Sequence, residues 1–317
     1  MTIAIILPAL NEEKTITSTI KAFHKALPKA HIWIVNNDSS DRTYELATKV
    51  LKDENISGGV LNEPVKGKGN AMRRAFLEIN ADIYLVADAD ETYSALDAKK
   101  LIEPIEENRA DIVVGNRQAD GVYKAINSRQ FHNFGNKLVC FLVNYLFNSN
   151  LSDIMSGYRA FNKKFVKNYP ILVSGFEIET DMTLFALDKR FRMHEIPIQY
   201  LNRPLGSFSK LNTFKDGAKV IFTIIRIFKQ FKPLVFFGTF AFLFFVMGLI
   251  TAIPVITDWI LYKYIYHLPL AVLATGIEIL ALTLLAIALL LDSISTQNKR
   301  NFEHQCLRQS LQKNTNL

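Results

Sequence analysis

Two long apolar segments near the carboxyl end limit what this chain can fold into. Residues 234–257 contain no formal charge, and residues 268–291 contain only Glu278. As a helix, each segment is long enough to cross about 30 Å of hydrocarbon, whereas a soluble core helix rarely runs so far without a polar face. Residues 258–267 join the two segments. The chain therefore predicts a transmembrane hairpin within residues 233–292.

Basic residues flank this hairpin on both sides. Residues 214–232 contain five Lys or Arg against one Asp, and residues 292–317 contain four Lys or Arg against one Asp and one Glu. By the positive-inside rule, both flanks are expected in the cytoplasm, so the amino-terminal part and the tail at 293–317 are predicted to be cytoplasmic. Basic residues beside a membrane span are expected to contact anionic lipid headgroups, so they do not indicate nucleic-acid binding. Two cysteines in the whole chain fit a reducing cytosol.

Apolar residues within 214–232 recur at helical spacing, and the basic residues lie largely off that stripe. The stripe consists of Val220, Ile221, Ile224, Ile227, Phe228 and Phe231. Such a segment predicts an amphipathic helix in the headgroup plane. The alternative is an ordinary amphipathic helix packed on the soluble domain.

The first 213 residues alternate short apolar runs with longer, more polar segments. Runs at residues 2–7, 31–36, 59–62, 83–87 and 110–114 predict five strands. Alternation at the spacing of βαβ units predicts an α/β domain, residues 1–213, with an open, mainly parallel sheet and helices on both faces. Asn11 is expected to cap the first helix, with Glu12 and Glu13 in its first turn.

Asp88 and Asp90 follow the strand at 83–87 directly, with one alanine between them. Ligands bind at the carboxyl ends of strands in such sheets. Two carboxylates this close repel each other unless a cation or a donor lies between them, and hard oxygen ligands suit Mg²⁺ or Mn²⁺ bridging phosphates. A solvated acidic turn is the alternative for an isolated Asp-x-Asp. Because Glu12 and Asn37 also follow strands, the crevice suits a nucleoside diphosphate.

Several sequence blocks occur in order along residues 3–212. They are PALNEE at 8–13, NNDSSD at 36–41, KGKG at 66–69, DAD at 88–90, GNR at 115–117, DIMSGYRAF at 153–161, GFEIE at 175–179, and residues 203–210. Together they resemble family 2 glycosyltransferases with the GT-A fold. The later blocks resemble the polyprenyl-phosphate branch typified by dolichol-phosphate mannose synthase.

The resemblance implies a role for each matching residue. The nucleotide pocket would comprise Pro8, Leu10, Glu12, Val35 and Asn37. Ribose and metal contacts would come from Asp88, Ala89 and Asp90, with both aspartates holding Mg²⁺ or Mn²⁺. The donor pyrophosphate and acceptor phosphate would be held by Arg117, Arg203 and Lys210, with Lys68, Arg129 and Ser209 as further substrate contacts.

Three positions depart from the family pattern. Asn37 stands where the family usually has aspartate, which changes the charge presented to the base. Thr92 stands where the mannose-synthase type often has a third, amide-bearing metal ligand. The interval from Arg203 to Lys210 is one residue longer than in that type.

The resemblance implies an inverting transfer of sugar from a nucleoside diphosphate sugar to a polyprenyl phosphate in the cytoplasmic leaflet. If the reaction uses a general base, Asp153 or Asp181 is the candidate, although Asp181 suits the start of a helix equally well. The alternatives are transfer to a diacylglycerol hydroxyl, or an inactive nucleotide-sugar-binding membrane anchor. Glu278 is expected to face a protein neighbour, which would permit a homo-oligomer.

Overall fold

The computed structural model describes residues 1–118, 130–175, 177–201, 225–226 and 228–315. The chain divides into two compact units, Met1–Ala218 and Lys219–Leu317. The boundary predicted at residue 213, and most of the amphipathic segment predicted at 214–232, lie outside the described residues.

The first unit is built on a seven-stranded sheet. Its strands are β1 Ile3–Ala9, β2 His31–Asn36, β3 Gly58–Asn62, β4 Ile83–Val86, β5 Ile112–Asn116, β6 Arg159–Asn162 and β7 Met193–Pro197. Their order is β3-β2-β1-β4-β6-β5-β7. All neighbouring pairs are parallel except those of β6, which runs antiparallel to β4 and β5. The mainly parallel sheet predicted from the sequence is thus confirmed.

Helices connect these strands and cover the sheet. They are α1 Ile16–Ala26, α2 Thr43–Asp53, α3 Lys68–Glu78, α4 Ala98–Glu106, α5 Gln130–Phe147, α6 Lys163–Asn168 and α7 Ile178–Asp188. Helix α1 packs on α2 and α4, whereas α3 packs on α6. Alternate residues of a strand point to opposite faces, and accordingly Ile5 and Leu7 of β1 join the core that also contains residues of α1, α2 and α4.

The start of α1 differs from the expectation. The helix begins at Ile16, so Asn11 does not cap it and Glu12 and Glu13 precede its first turn. Asn11 adopts a left-handed conformation with φ of 54°, and its side-chain oxygen accepts a hydrogen bond from the Ser40 amide at 2.8 Å. The loop after β1 is therefore held by the loop after β2, which delays the helix.

An ion pair joins the start of β5 to the start of β7. Asp111 accepts hydrogen bonds from the Arg192 backbone at 2.9 Å, from its guanidinium at 3.0 and 3.1 Å, and from Asn162 at 2.8 Å. Burial acts to raise the pKa of the Asp111 carboxyl, but the hydrogen bonds and charge of Arg192 outweigh burial and hold this pKa below its usual value. The stabilisation is thus present above the unfolded-state pKa and is lost as the pH falls through the folded-state pKa.

We expect Asp111→Asn to lower the midpoint of thermal unfolding by about 2–4 °C at pH 7, which corresponds to roughly 1 kcal/mol. The difference from wild type should shrink as the pH falls below about 4, because the unfolded-state carboxyl binds a proton there while the folded-state carboxyl, with its lower pKa, is still ionised. Tryptophan fluorescence of the full chain in detergent measures the midpoint, with Asp53→Asn at the exposed end of α2 as control. A difference that stays constant from pH 7 to pH 3 would contradict this linkage.

The second unit contains two helices that pack on each other, α8 Pro233–Tyr262 and α9 Leu268–Thr315. Both are long and apolar enough to cross a membrane, and only 11% of the most apolar window of each is buried. A core helix of a soluble protein would be mostly buried, so this exposure favours the predicted spans. At the turn between the helices, the Asp258 carboxylate accepts hydrogen bonds from the Tyr266 and His267 amides. Helix α9 continues beyond the predicted span into the tail.

Glu278 of α9 packs directly over Gly248 of α8, where any added Cβ atom would collide with its carboxyl group. The protein neighbour expected for Glu278 is thus the other helix of the same hairpin. The carboxyl group consequently supplies no reason to expect an oligomer.

Candidate active site

The carboxyl ends of β1, β2 and β4 lie side by side in the sheet. Pro8 pairs with Val35, and Ile6 pairs with Val86. The loop that follows β1 is hydrogen bonded to the loop after β2 through Asn11 and Ser40, and the Glu12 amide donates to the Thr43 hydroxyl at the start of α2 at 2.8 Å. Polar residues from separate parts of the sequence are thereby brought to one edge of the sheet, as the strand pattern predicts.

Asn37 uses its side-chain amide to hold the loop that precedes α3. Its oxygen accepts from the Gly67 amide at 2.7 Å, and its nitrogen donates to the carbonyls of Glu63 at 3.2 Å and Val65 at 2.7 Å. A carboxylate accepts but does not donate, so aspartate could not make the two bonds to carbonyls. This geometry gives a physical reason for asparagine here, a role that sequence analysis missed. Gly67 has a φ of 134°, which favours glycine in this loop.

Lys68 begins α3 and bridges two carboxylates. Its Nζ lies 2.6 Å from Asp88 Oδ1 and 2.6 Å from Glu179 Oε1. The lysine side chain is 9% exposed and that of Glu179 is 6% exposed, whereas that of Asp88 is 30% exposed. Burial acts to lower the pKa of Lys68, but Asp88 and Glu179 outweigh burial and raise this pKa above its usual value. Lys68 is therefore held as an ammonium between the two carboxyl groups, just beyond the end of β4.

Asp90 is buried and is oriented by Thr92. The Thr92 hydroxyl donates to Asp90 Oδ1 at 2.6 Å, and the Thr92 amide donates to the same oxygen at 3.2 Å. The Ala89 carbonyl between the two aspartates accepts from Thr19 of α1. Thr92 thus positions Asp90. The sequence showed only that Thr92 replaces an amide-bearing residue of the family pattern, and it did not indicate this hydrogen bond.

Arg117 and Asp153 form a buried two-pronged ion pair. Arg117 donates from Nε to Asp153 Oδ2 at 2.7 Å and from Nη2 to Asp153 Oδ1 at 2.8 Å. The guanidinium carbon lies 5.9 Å from the centre of the Tyr200 ring. The Glu195 carboxylate accepts from the Asp153 amide at 2.9 Å. Asp153 therefore orients the arginine and is itself positioned by Glu195 of β7.

The block at residues 153–161 passes close to the ammonium of Lys68. A Cβ atom at Gly157 would lie 2.8 Å from Lys68 Nζ and 3.1 Å from Asp88 Oδ2. The Gly157 amide donates to the Tyr93 hydroxyl at 2.9 Å. The fully buried Arg159 donates to the carbonyls of Ser156 and Ile154. These contacts place the glycine backbone against the acidic cluster, so a side chain at this position would have to displace the Lys68 ammonium or the Asp88 carboxyl group.

Other predicted site residues have more varied surroundings. Asp181 lies in the first turn of α7, where its carboxylate accepts from the Tyr169 hydroxyl at 2.7 Å. Val35 and Ala89 are buried, whereas Pro8, Leu10 and Glu12 are partly exposed. Arg129, Arg203, Ser209 and Lys210 lie outside the described residues.

The structure places four further residues around this site that the sequence patterns did not indicate: Tyr93, Arg159, Glu179 and Glu195. Arg159 and Glu179 lie within sequence blocks that carry the resemblance, which was the available signal. Tyr93 and Glu195 had no such signal, because only their hydrogen bonds to Gly157 and Asp153 reveal them.

The acidic pair fits a divalent cation that arrives with a diphosphate. Within the described part of the chain, no group of three or more His, Cys, Asp or Glu side chains could hold a metal ion. Mg²⁺ is usually bound by one or two carboxylates, with substrate phosphates and water completing the octahedron. Asp88 and Asp90 supply hard oxygen donors of this kind, so the residues suit Mg²⁺ or Mn²⁺.

Solved structures identify the class of fold. Glucosyl-3-phosphoglycerate synthase from Mycobacterium tuberculosis, in complex with Mn²⁺, UDP and phosphoglyceric acid, aligns over 72% of this chain and 78% of its own with a TM-score of 0.54 and 21% identity. The same synthase with Mg²⁺ and UDP aligns equally well, with a TM-score of 0.54 and 20% identity over 72% of this chain and 78% of its own. The first unit accordingly has the GT-A fold.

The sequence then identifies the family. The model described as glycosyl transferase family 2 matches residues 4–169, and the chain belongs to that family. Glycosyltransferase AglJ of Haloferax volcanii is 29% identical over 95% of this chain and 96% of its own. Undecaprenyl-phosphate mannosyltransferase of Micrococcus luteus is 28% identical over 70% of this chain and 92% of its own. The protein is a glycosyltransferase.

Proposed function

We propose that this glycosyltransferase moves a sugar from a nucleoside diphosphate sugar to a polyprenyl phosphate at the cytoplasmic face of a membrane. The observation that carries the proposal is the acidic pair Asp88 and Asp90, which follows β4 in a family 2 domain. The same chain also has two exposed apolar helices. The name of the Micrococcus luteus relative supports a lipid phosphate acceptor.

The proposed reaction is an in-line displacement. An oxygen of the acceptor phosphate forms a bond to the anomeric carbon, while the bond from that carbon to the diphosphate oxygen breaks, which inverts the configuration. A phosphate monoester is largely ionised at neutral pH, so its oxygen requires little deprotonation. Both Asp153 oxygens bind Arg117; we therefore assign Asp153 to orienting that arginine, and the reaction needs neither Asp153 nor Asp181 as a base.

The residues of this chain divide the remaining tasks. Asp88 and Asp90 would hold Mg²⁺ or Mn²⁺, which supplies Lewis acidity to the leaving diphosphate. Arg117 would offset negative charge where the two anions meet. Asn37 would fix the loop that borders the nucleotide. Arg203 and Lys210, which lie outside the described residues, are proposed phosphate contacts, with Arg129 and Ser209 as further substrate contacts.

The proposed layout follows the charge pattern. In this layout, residues 1–213 would form the catalytic domain, 214–232 an interfacial helix, 233–292 the transmembrane hairpin and 293–317 the tail. The flanking basic residues support a cytoplasmic location for the catalytic domain and the tail.

Labelled UDP- and GDP-sugars supplied to membrane vesicles with undecaprenyl phosphate, or with diacylglycerol, test acceptor and orientation together. We expect metal-dependent labelling of the lipid phosphate in inside-out vesicles, no labelling in sealed right-side-out vesicles, and loss of labelling with EDTA. Asp53→Asn should retain activity, and Asp88→Asn should lose it. Labelling of diacylglycerol alone would make the lipid hydroxyl the acceptor, and nucleotide binding without transfer would favour an inactive anchor.

A further inference from the structure

Lys68 places a positive charge on one of the two proposed metal ligands. We refer to Lys68, Asp88 and Glu179 as the ammonium bridge, since one Nζ lies 2.6 Å from both carboxylates. The three residues come from the start of α3, the end of β4 and the first turn of α7. The close approach of Gly157 to Nζ encloses the ammonium further.

A divalent cation and this ammonium make competing demands on Asp88. A cation bound to the Asp88 carboxylate would lie within a few ångströms of Nζ, and like charges at that range repel strongly in a partly buried site. Lys68 is only 9% exposed, so it cannot simply turn into solvent. Glu179 is already in contact with Nζ and is 6% exposed, so it provides a partner that Lys68 keeps when Asp88 is taken.

We propose that Lys68 competes with the divalent cation for Asp88, and that Glu179 retains the ammonium when the cation binds. Without the cation, Lys68 bridges both carboxylates, which neutralises part of the acidic cluster. With the cation, Lys68 pairs with Glu179 alone. Glu179 is thus a positioning residue that sets cation affinity through Lys68. This inference rests on the metal role of Asp88 in the proposed function.

Mn²⁺ binding to the full chain in detergent, without nucleotide, tests the competition. The amplitude of the free Mn²⁺ signal in electron paramagnetic resonance gives the dissociation constant. Glu179→Gln leaves Lys68 with Asp88 as its charged partner in the bridge, so we expect Mn²⁺ to bind about fivefold more weakly. The double variant Lys68→Met with Glu179→Gln removes the competitor without leaving Glu179 as an unpaired buried charge. We expect it to bind Mn²⁺ about tenfold more tightly than wild type.

The double variant is informative because it removes one positive and one negative charge. If Lys68 and Glu179 acted only through the net charge of the site, the double variant should bind Mn²⁺ about as tightly as wild type. Competition for Asp88 predicts tighter binding. Lys66→Met is the matched control, because Lys66 is exposed and pairs with Asp38 at 3.5 Å. It should change Mn²⁺ affinity by less than about twofold.

Mn²⁺ affinity of the double variant equal to or weaker than wild type would overturn the inference, because Lys68 would then orient Asp88 rather than compete for it. If Glu179→Gln bound Mn²⁺ as tightly as wild type, Glu179 would not be the residue that retains the Lys68 ammonium when the cation binds. Absence of Mn²⁺ binding in every variant would overturn this inference. The metal role in the proposed function would fail only if sugar transfer were also insensitive to EDTA, because the substrate diphosphate supplies further metal ligands. If the Mn²⁺ affinities followed the expected order but no sugar were transferred to any lipid phosphate, the competition would be upheld. Only the proposed acceptor would then be rejected.

Discussion

Asp153→Leu is expected to destabilise the protein by about 3–5 kcal/mol, because it removes the carboxylate that pairs with the buried Arg117 guanidinium. Asp153 is fully buried and Arg117 is 8% exposed, so water cannot replace the lost carboxylate. The midpoint of thermal unfolding should fall by about 10 °C. Arg117→Met should be destabilising for the same reason, since it leaves the Asp153 carboxylate unpaired.

The double variant Arg117→Met with Asp153→Leu separates folding from catalysis. Two apolar side chains in place of a buried ion pair often restore stability, so we expect most of the lost midpoint to return. Sugar transfer should stay lost in both single variants and in the double variant, because the guanidinium is absent or misplaced. A double variant as unstable as Asp153→Leu would show that the carboxylate stabilises the fold through contacts other than Arg117. Recovery of transfer would exclude Arg117 from the reaction.

Asp90→Asn is expected to reduce sugar transfer by about 10³-fold, since it removes a charged oxygen where the leaving diphosphate would bind. Thr92→Val removes the hydroxyl that donates to Asp90 Oδ1 at 2.6 Å, and it retains the side-chain volume closely. A residue that orients a metal ligand commonly contributes about 10- to 100-fold, so Thr92→Val should be the milder change.

Initial rates of lipid labelling at increasing Mn²⁺ concentration distinguish these two effects. High Mn²⁺ should recover much of the Thr92→Val rate, because Asp90 is still present but less well oriented. It should recover little of the Asp90→Asn rate. Equal losses in both variants at saturating Mn²⁺ would show that Thr92 itself takes part in the reaction. Full activity of Asp90→Asn would remove Asp90 from the proposed site.

The sequence was most informative where one local pattern implies one structure. The uncharged run at 83–87 predicted a buried strand, and the structure places β4 at Ile83–Val86 with Asp88 and Asp90 just beyond it. The parallel sheet followed from the same alternation of strands and helices. The two apolar runs predicted the long helices α8 and α9, because an uninterrupted apolar segment of that length has few other stable forms.

The sequence was least informative where a structure depends on distant partners. Strand β6 has only four residues, Arg159–Asn162, and is specified by pairing with β4 and β5 on either side. The first helix starts at Ile16 because hydrogen bonds to the loop after β2 hold the preceding residues. Propensity at Asn11 could not reveal this, since the partner residues lie about thirty positions away.

By itself, the sequence determined the fold class, the family and the position of the acidic pair after a strand. These features depend on periodicity and on blocks of adjacent residues. Only the tertiary structure decided how the site residues are paired. It placed Lys68 between Asp88 and Glu179, tied Arg117 to Asp153, and set Asn37 against the loop before α3. These pairings join residues remote in sequence, and a buried charge or amide must find its partner in space whatever their separation along the chain.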